Sequence, residues 1–228
     1  MFRTVQFIFT LFLSTALFAQ DSLSVEQNAY LEDQFYIGFT YNLLLNKPET
    51  VTQQNLSYGF QAGFIKDIPL NKERNFGIGI GLGYAVNSYY TNIQAVQTAD
   101  GITYRVFDED FAYKRNKIET HLVEMPLEIR WRNSTATEYR FWRIYTGFKL
   151  GYVVGSRSKL VADNFKDSFY NRDTENFRYG VVLNVGYNTF NIHLYYSLND
   201  FFEDNTTLDT GEALALTPMS IGIIFYIL

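Results

Sequence analysis

The chain has 228 residues, a net charge of −5, an aromatic content of 18% and no cysteine. That length suits a single domain. The missing cysteine excludes a disulfide framework, a thiolate metal site and a lipid-anchored amino terminus, and the acidic balance argues against general nucleic-acid binding. The aromatic residues are 18 Tyr and 21 Phe against 2 Trp, and Tyr and Phe favour strands.

The first twenty residues, "MFRTVQFIFTLFLSTALFAQ", carry Arg3 ahead of an apolar run and end in small residues near Ala16 and Ala19. This reads as a secretory signal peptide over 1–20. The run is too short for the ~20 apolar residues of a helical span. A short periplasmic amino-terminal segment over 21–33 and a barrel domain over 34–228 are expected to follow.

The strands then announce themselves by alternation. In "FYIGFTYNL" the residues Phe35, Ile37, Phe39, Tyr41 and Leu43 share one parity, with Tyr36, Gly38, Thr40 and Asn42 on the other. "LSYGFQAGF" repeats this with Leu56, Tyr58, Phe60 and Phe64 against Ser57, Gly59, Gln61 and Gly63. "NFGIGIGLGYAVN" is the extreme case. Phe76, Ile78, Ile80, Leu82, Tyr84 and Val86 form one stripe, and Gly77, Gly79, Gly81 and Gly83 leave the other face nearly bare. Successive strand residues point to opposite faces. A helix would scatter both sets and lose roughly 1 kcal/mol at each glycine.

"VEMPLEIRWR" sets Val123, Met125, Leu127, Ile129 and Trp131 against Glu124, Glu128, Arg130 and Arg132. Pro126 removes a ladder donor there, which predicts a local bulge. "FWRIYTGFKLGYVVG" sets Trp142, Ile144, Phe148, Leu150, Tyr152 and Val154 against Arg143, Tyr145, Gly147, Lys149 and Gly151. "FRYGVVLNVGYN", "FNIHLYYSL" and "MSIGIIFYIL" complete the set, the last with Ile221, Ile223, Phe225 and Ile227 as the stronger stripe.

Eight strands of roughly ten residues match the length that a tilted strand needs to cross a bilayer. The charged residues at mid-strand and the uniform apolar stripes argue against a soluble sandwich. They predict an all-β, eight-stranded antiparallel transmembrane barrel of up-and-down topology, apolar outside and polar or small inside. Closure also removes the unpaired edges that lipid cannot satisfy. Long connections near 46–55, 91–116, 156–176 and 200–215 alternate with short ones near 67–74, 133–140 and 188–189. Long loops are therefore expected outside, with both termini periplasmic. Trp131 and Trp142 fall at the periplasmic rim as an aromatic girdle, and Tyr41, Tyr58, Tyr152 and Tyr179 at the opposite one.

"HLVEMPLEIRWR" followed by "YTGFKLGYVVGSRSK" resembles the corresponding strands of the PorT-like outer-membrane β-barrel family. "FRYGVVLNVGYNTFNIHLYYSLNDFFEDN" is similar to that family's penultimate hairpin, departing from it at "YYSLNDF". The family takes its name from a component of the type IX protein secretion and gliding machinery. The resemblance implies a small outer-membrane barrel, with secretion or surface assembly as the associated role.

Chemistry-bearing residues are few. Glu124, Glu128, Arg130, Arg143, Lys149 and Arg178 face inward and mix both signs, as a lumen polar network must, because unpaired buried charges are costly. A selective ion path is the alternative use of the same residues. His193 points inward with Ser197 two pairs along its face, an arrangement that reads better as a lumen filler than as a catalytic pair. The acids Asp200, Glu203, Asp204, Asp209 and Glu212 lack the fixed spacing of a calcium loop, so no metal or cofactor is implied. The expected function is therefore a non-enzymatic barrel that presents its outer loops (91–116, 156–176 and 200–215) to protein partners. A narrow ion or solute channel and a lipid-modifying enzyme are the alternatives.

Overall fold

The computed structural model describes residues 34–53, 55–108, 111–133, 142–163, 165–188 and 190–227. The expected signal peptide, the segment 21–33 and most of the connection 133–140 lie outside the described residues.

Among the described residues eleven strands form: β1 (Gln34–Leu45), β2 (Tyr58–Pro69), β3 (Phe76–Tyr90), β4 (Ile93–Gln97), β5 (Ile102–Val106), β6 (Arg115–Arg132), β7 (Trp142–Val161), β8 (Lys166–Tyr170), β9 (Phe177–Tyr187), β10 (Phe190–Ser197) and β11 (Thr217–Ile227). Eight of them close on themselves. The order β6-β3-β2-β1-β11-β10-β9-β7 is completed by a β6–β7 pairing, and the ladders are antiparallel throughout. The protein is an eight-stranded antiparallel β-barrel.

Its wall is inverted relative to a soluble protein. Phe35, Phe39, Ile80, Leu82, Ile129, Trp142, Phe148, Ile192 and Ile221 are exposed on the outside, while Tyr36, Gln61, Glu128, Arg130, Tyr145, Asn184 and Tyr226 are buried within. On β11 it is Ile221 and Ile227 that face out and Ile224 and Tyr226 that face in.

The glycine face of β3 is explained by what lies across it. A Cβ on Gly79 would stand 2.7 Å from Arg130 Nε, one on Gly77 would stand 2.8 Å from Asp67 Oδ1, and one on Gly83 would overlap the Tyr36 hydroxyl. The strand gives up its inward side chains so that an arginine and a tyrosine from other strands can lie across it. An eight-stranded bore is just wide enough for such filling.

Pro126 behaves otherwise than expected. The β3–β6 register is the same on both sides of it, Ile80 pairing with Leu127 and Gly83 with Glu124, and the ladder merely lapses in between. Gly81 absorbs the ring, since a Cβ there would lie 2.9 Å from Pro126 Cγ. The bulge sits further on, where His121 pairs with Gly155 but Leu122 with Val153.

The long connections are also less loop-like than the sequence suggests. β6 and β7 run for 18 and 20 residues, well past the ~10 that cross a membrane. β8 extends β7 sideways, and β4–β5 form a separate hairpin. The β4–β5 hairpin, the ends of β1, β3 and β6 and the connection 201–216 share an apolar core of Leu44, Val51, Tyr89, Ile93, Tyr104, Ile118, Phe201, Phe202, Leu208, Leu214 and Leu216, with Phe169 of β8 packed against it. The barrel thus carries a packed head on its loop end, while its other end has short turns such as that at Asn188, whose φ of 59° suits a tight hairpin.

Candidate functional site: the lumen and its two plugs

The lumen network begins at the turn end with Asp67 and Arg130. Arg130 is 1% exposed. Its guanidinium donates to Asp67 Oδ2 at 3.2 Å, to Glu128 Oε2 at 3.0 Å and to Gln34 Oε1 at 3.3 Å. It also lies 4.3 Å from the Tyr145 ring centre and 5.2 Å from that of Tyr226. Arg132 Nη1 donates to the same Asp67 oxygen at 2.9 Å and its Nε to the Arg74 carbonyl at 2.8 Å. One buried carboxylate therefore bridges two arginines, and the residues meeting at this level come from β1, β2, β6, β7 and β11.

The next tier continues the chain of bonds. Asn184 Nδ2 donates to Glu128 Oε1 at 3.1 Å, and the Asn184 Oδ1 lies 2.6 Å from His193 Nδ1. Above it Lys149 Nζ donates to Gln61 Oε1 at 2.6 Å, sits 3.3 Å from Glu124 Oε2 and faces the Tyr195 ring at 5.4 Å. Asn42 then accepts from Thr40 and Ser220 hydroxyls, each at 2.8 Å, and donates to Asn87 at 3.1 Å. A cavity of about 40 Å³ remains at this height, room for ordered water and little else.

The loop end is closed by a second plug. Arg178 Nη1 donates to the Asp200 carbonyl at 2.8 Å, its Nη2 donates to the Phe201 carbonyl, and its guanidinium lies 4.6 Å over the Phe201 ring. Phe201 in turn meets Tyr89 and Phe202 edge-on at 4.9 and 5.0 Å. Buried charge is tolerable here because paired charges and hydrogen bonds replace hydration.

All six inward residues named from the sequence are buried, but they do not form one cluster. Arg130 and Glu128 pair at the turn end, Glu124 and Lys149 pair at mid-height, and Arg178 serves the head. Arg143 is buried on the turn-end side. Asp67 is the residue that sequence reasoning missed. It lies where a turn was expected, yet β2 continues through it to Pro69, and its parity with Gln61 and Gly63 was the signal that could have found it. Trp131 and Trp142 are exposed at the turn end, and Trp142 packs on Tyr187 at 5.5 Å.

His193 and Ser197 have separate partners. The Ser197 hydroxyl donates to the Asn199 carbonyl at 2.8 Å, whereas His193 belongs to Asn184. No hydrogen bond joins the histidine and the serine among the described residues.

The head is held as firmly as the lumen. The Tyr104 hydroxyl donates to Asn171 Oδ1 at 2.9 Å and lies 3.1 Å from Asp173 Oδ2, and Asn116 Nδ2 donates to the carbonyls of Thr91 and Ile93. Burial pushes the Tyr104 pKa well up, and the neighbouring Asp173 carboxylate adds to the rise. Phe201 and Phe202 face this core, so their rings are not what a partner meets. Phe107, Phe111 and Tyr113 instead stack on one another, with centroids 4.4 to 6.2 Å apart, and Phe111 is 42% exposed.

A closed barrel with an apolar exterior and a polar, ion-paired interior fits one environment. The family described as "Outer membrane protein beta-barrel domain" matches residues 18–203. The chain belongs to that family. It is an integral outer-membrane barrel, and its apolar belt is the surface that lipid covers. Comparison with curated proteins gives no match. Among solved structures, Ail, the attachment invasion locus protein of Yersinia pestis, is 13% identical over 85% of this chain and 96% of its own, with a TM-score of 0.36. A triple mutant of the Rhodopseudomonas blastica porin is 8% identical over 86% of this chain and 99% of its own, with a TM-score of 0.21.

Proposed function

We propose that this outer-membrane barrel is a non-conducting, non-enzymatic scaffold that presents its packed head to protein partners. The head faces outward and both termini lie on the periplasmic side. The observation that carries this reading is the double closure of the bore: Arg130 with Asp67, Glu128 and Arg132 at one end, and Arg178 with Phe201 at the other. A conducting barrel needs a continuous wet path, and this lumen spends its width on paired side chains. The ordered structure is invested outside the membrane, where long strands and a shared apolar core hold the loops in one shape. The resemblance to the PorT-like family favours partners in type IX-like protein secretion or surface assembly. The exposed Phe107–Phe111–Tyr113 stack is the contact surface of choice, because aromatic residues are enriched at interfaces and dominate their energetics.

In-cell crosslinking tests this. A photoreactive residue at position 111 is expected to capture specific proteins, and one at the buried position 202 to capture none. The same protein in planar bilayers is expected to be silent. Discrete conductance steps, together with no protein adduct at position 111, would overturn the reading in favour of a channel.

A further inference from the structure

The outward face of β6, β7 and β8 changes character abruptly where the apolar belt ends. On β7 the outward residues run Trp142, Ile144, Phe148, Leu150, Tyr152, Val154. Next comes the bulge: Val154 is the extra residue, skipped between the Leu122–Val153 and His121–Gly155 pairs. Beyond it the parity of β7 switches. Ser156, Ser158 and Leu160 are buried, and Arg157 and Lys159 turn outward. With unbroken alternation those two cations would have pointed into the barrel mouth. A bulge is a standard device for re-aiming side chains, and here it sets two bases at the first outward positions past the lipid belt.

Their neighbours share the same height. Register places Arg157 between Glu119 of β6 and Tyr170 of β8, and Lys159 between Lys117 and Ser168. Lys117 and Lys159 are therefore directly opposed like charges, of which Glu119 offsets only Lys117. Glu119 is committed to Lys117, to the Ser88 hydroxyl at 3.2 Å and to His121 at 3.6 Å. Lys117 is itself nearly buried, its ammonium 5.9 and 5.7 Å from the ring centres of Tyr58 and Tyr90. Asp163 is taken by Lys114 at 2.8 Å, and Asp167 sits on the opposite parity of β8 from Lys166 and Ser168. Among the described residues no acid forms an ion pair with Arg157 or Lys159. Exposed Arg115 and Lys166 extend the basic surface.

We propose that this face docks the phosphate-bearing headgroup of an outer-leaflet lipid. Arg157 and Lys159 are its cationic ligands, and the Ser168 and Tyr170 hydroxyls are further donors. The chemistry fits: a phosphate diester or monoester accepts from guanidinium, ammonium and hydroxyl groups together. The position fits as well, because a group whose acyl chains lie along Val154, Tyr152 and Val123 carries its headgroup at the level of Arg157. Exposed Tyr84 and Tyr152, joined through Val123 in the ladder, lie below the site as interfacial aromatics do.

The test uses the full-length protein in neutral maltoside micelles, followed by native mass spectrometry with bis-phosphorylated lipid A and with its dephosphorylated form. The wild type is expected to retain the phosphorylated lipid and release the other. The Arg157→Gln/Lys159→Gln variant is expected to lose about thirtyfold in retention, the factor that two basic side chains near an anionic membrane surface supply together. Lys72→Gln, on a turn at the far end, serves as the control and leaves retention unchanged. Heat-modifiable electrophoretic mobility checks that each variant is folded. If the double variant does not fold, Lys159→Gln alone carries the test with a smaller loss. Equal retention of the two lipids, unchanged retention in the folded variants, or displacement of the lipid by millimolar inorganic phosphate would each overturn the proposal, the last by showing a free-anion site.

Discussion

At the residue scale, the barrel is organised around large side chains that lie where small ones make room. Gly83 and Tyr36 are the sharpest case, since a Cβ on the glycine overlaps the tyrosine hydroxyl. Gly83→Ala should cost about 1–3 kcal/mol, the usual penalty of overpacking. The Gly83→Ala/Tyr36→Leu pair should cost less than the sum of its singles, a coupling that urea unfolding in vesicles would read as a double-mutant cycle. Asp67 is the electrostatic counterpart. It is fully buried between Arg130 and Arg132, and Asp67→Asn should destabilise by about 3–5 kcal/mol because it strands buried positive charge. An unchanged urea midpoint would show that Glu128 alone suffices for Arg130. Glu119, beyond the apolar belt, adds a pH term. Partial burial raises its pKa, but the Lys117 ammonium and Ser88 hydroxyl outweigh that, and the net direction is down. A folded-state pKa below the unfolded one contributes stability that is full above the ordinary glutamate range and fades as pH falls through the depressed value. Glu119→Gln should lower stability at neutral pH and leave the acid end nearly unaffected, so that the acid limb of the stability–pH curve flattens, as urea unfolding at a series of pH values would show.

At the element scale, alternation is a local rule that holds until one residue breaks it. The apolar stripes of β1, β2, β3 and β6 were legible because a strand's two faces are set by parity alone. The bulge at Val154 was not, because nothing in "YVVGSRSK" says which residue the partner strand will skip. Pro126 shows the reverse error, a residue that looks like a register break and is accommodated by Gly81 without one. A cysteine scan separates the two facings on this naturally cysteine-free chain. Cysteines at 157 and 159 should react with a soluble maleimide, and those at 156, 158 and 160 should stay protected. Unbroken alternation would give labelling at 156 and 158 instead.

For the whole molecule, wall and head are two packed bodies of opposite design, one turned inside out for lipid and the other built around an ordinary apolar core. Tyr104 ties that core together, meeting Phe202 at 5.0 Å and bonding Asn171 from a different loop. Tyr104→Ala should open the head to protease while leaving the closed wall folded. Limited proteolysis would then show cuts in 91–114 and 198–216 with heat-modifiable mobility retained, and loss of that mobility would mean that the head also holds the wall.

The sequence by itself determined the membrane barrel and the eight strands of its wall, because lipid outside and a narrow bore inside impose one binary rule on every strand. Asp67 under two arginines, Phe201 as a plug and the outward turn of Arg157 were decided only by tertiary structure. Each depends on which residues of distant strands arrive at the same height, and that is fixed by register and closure around the ring, which no single stretch of chain encodes.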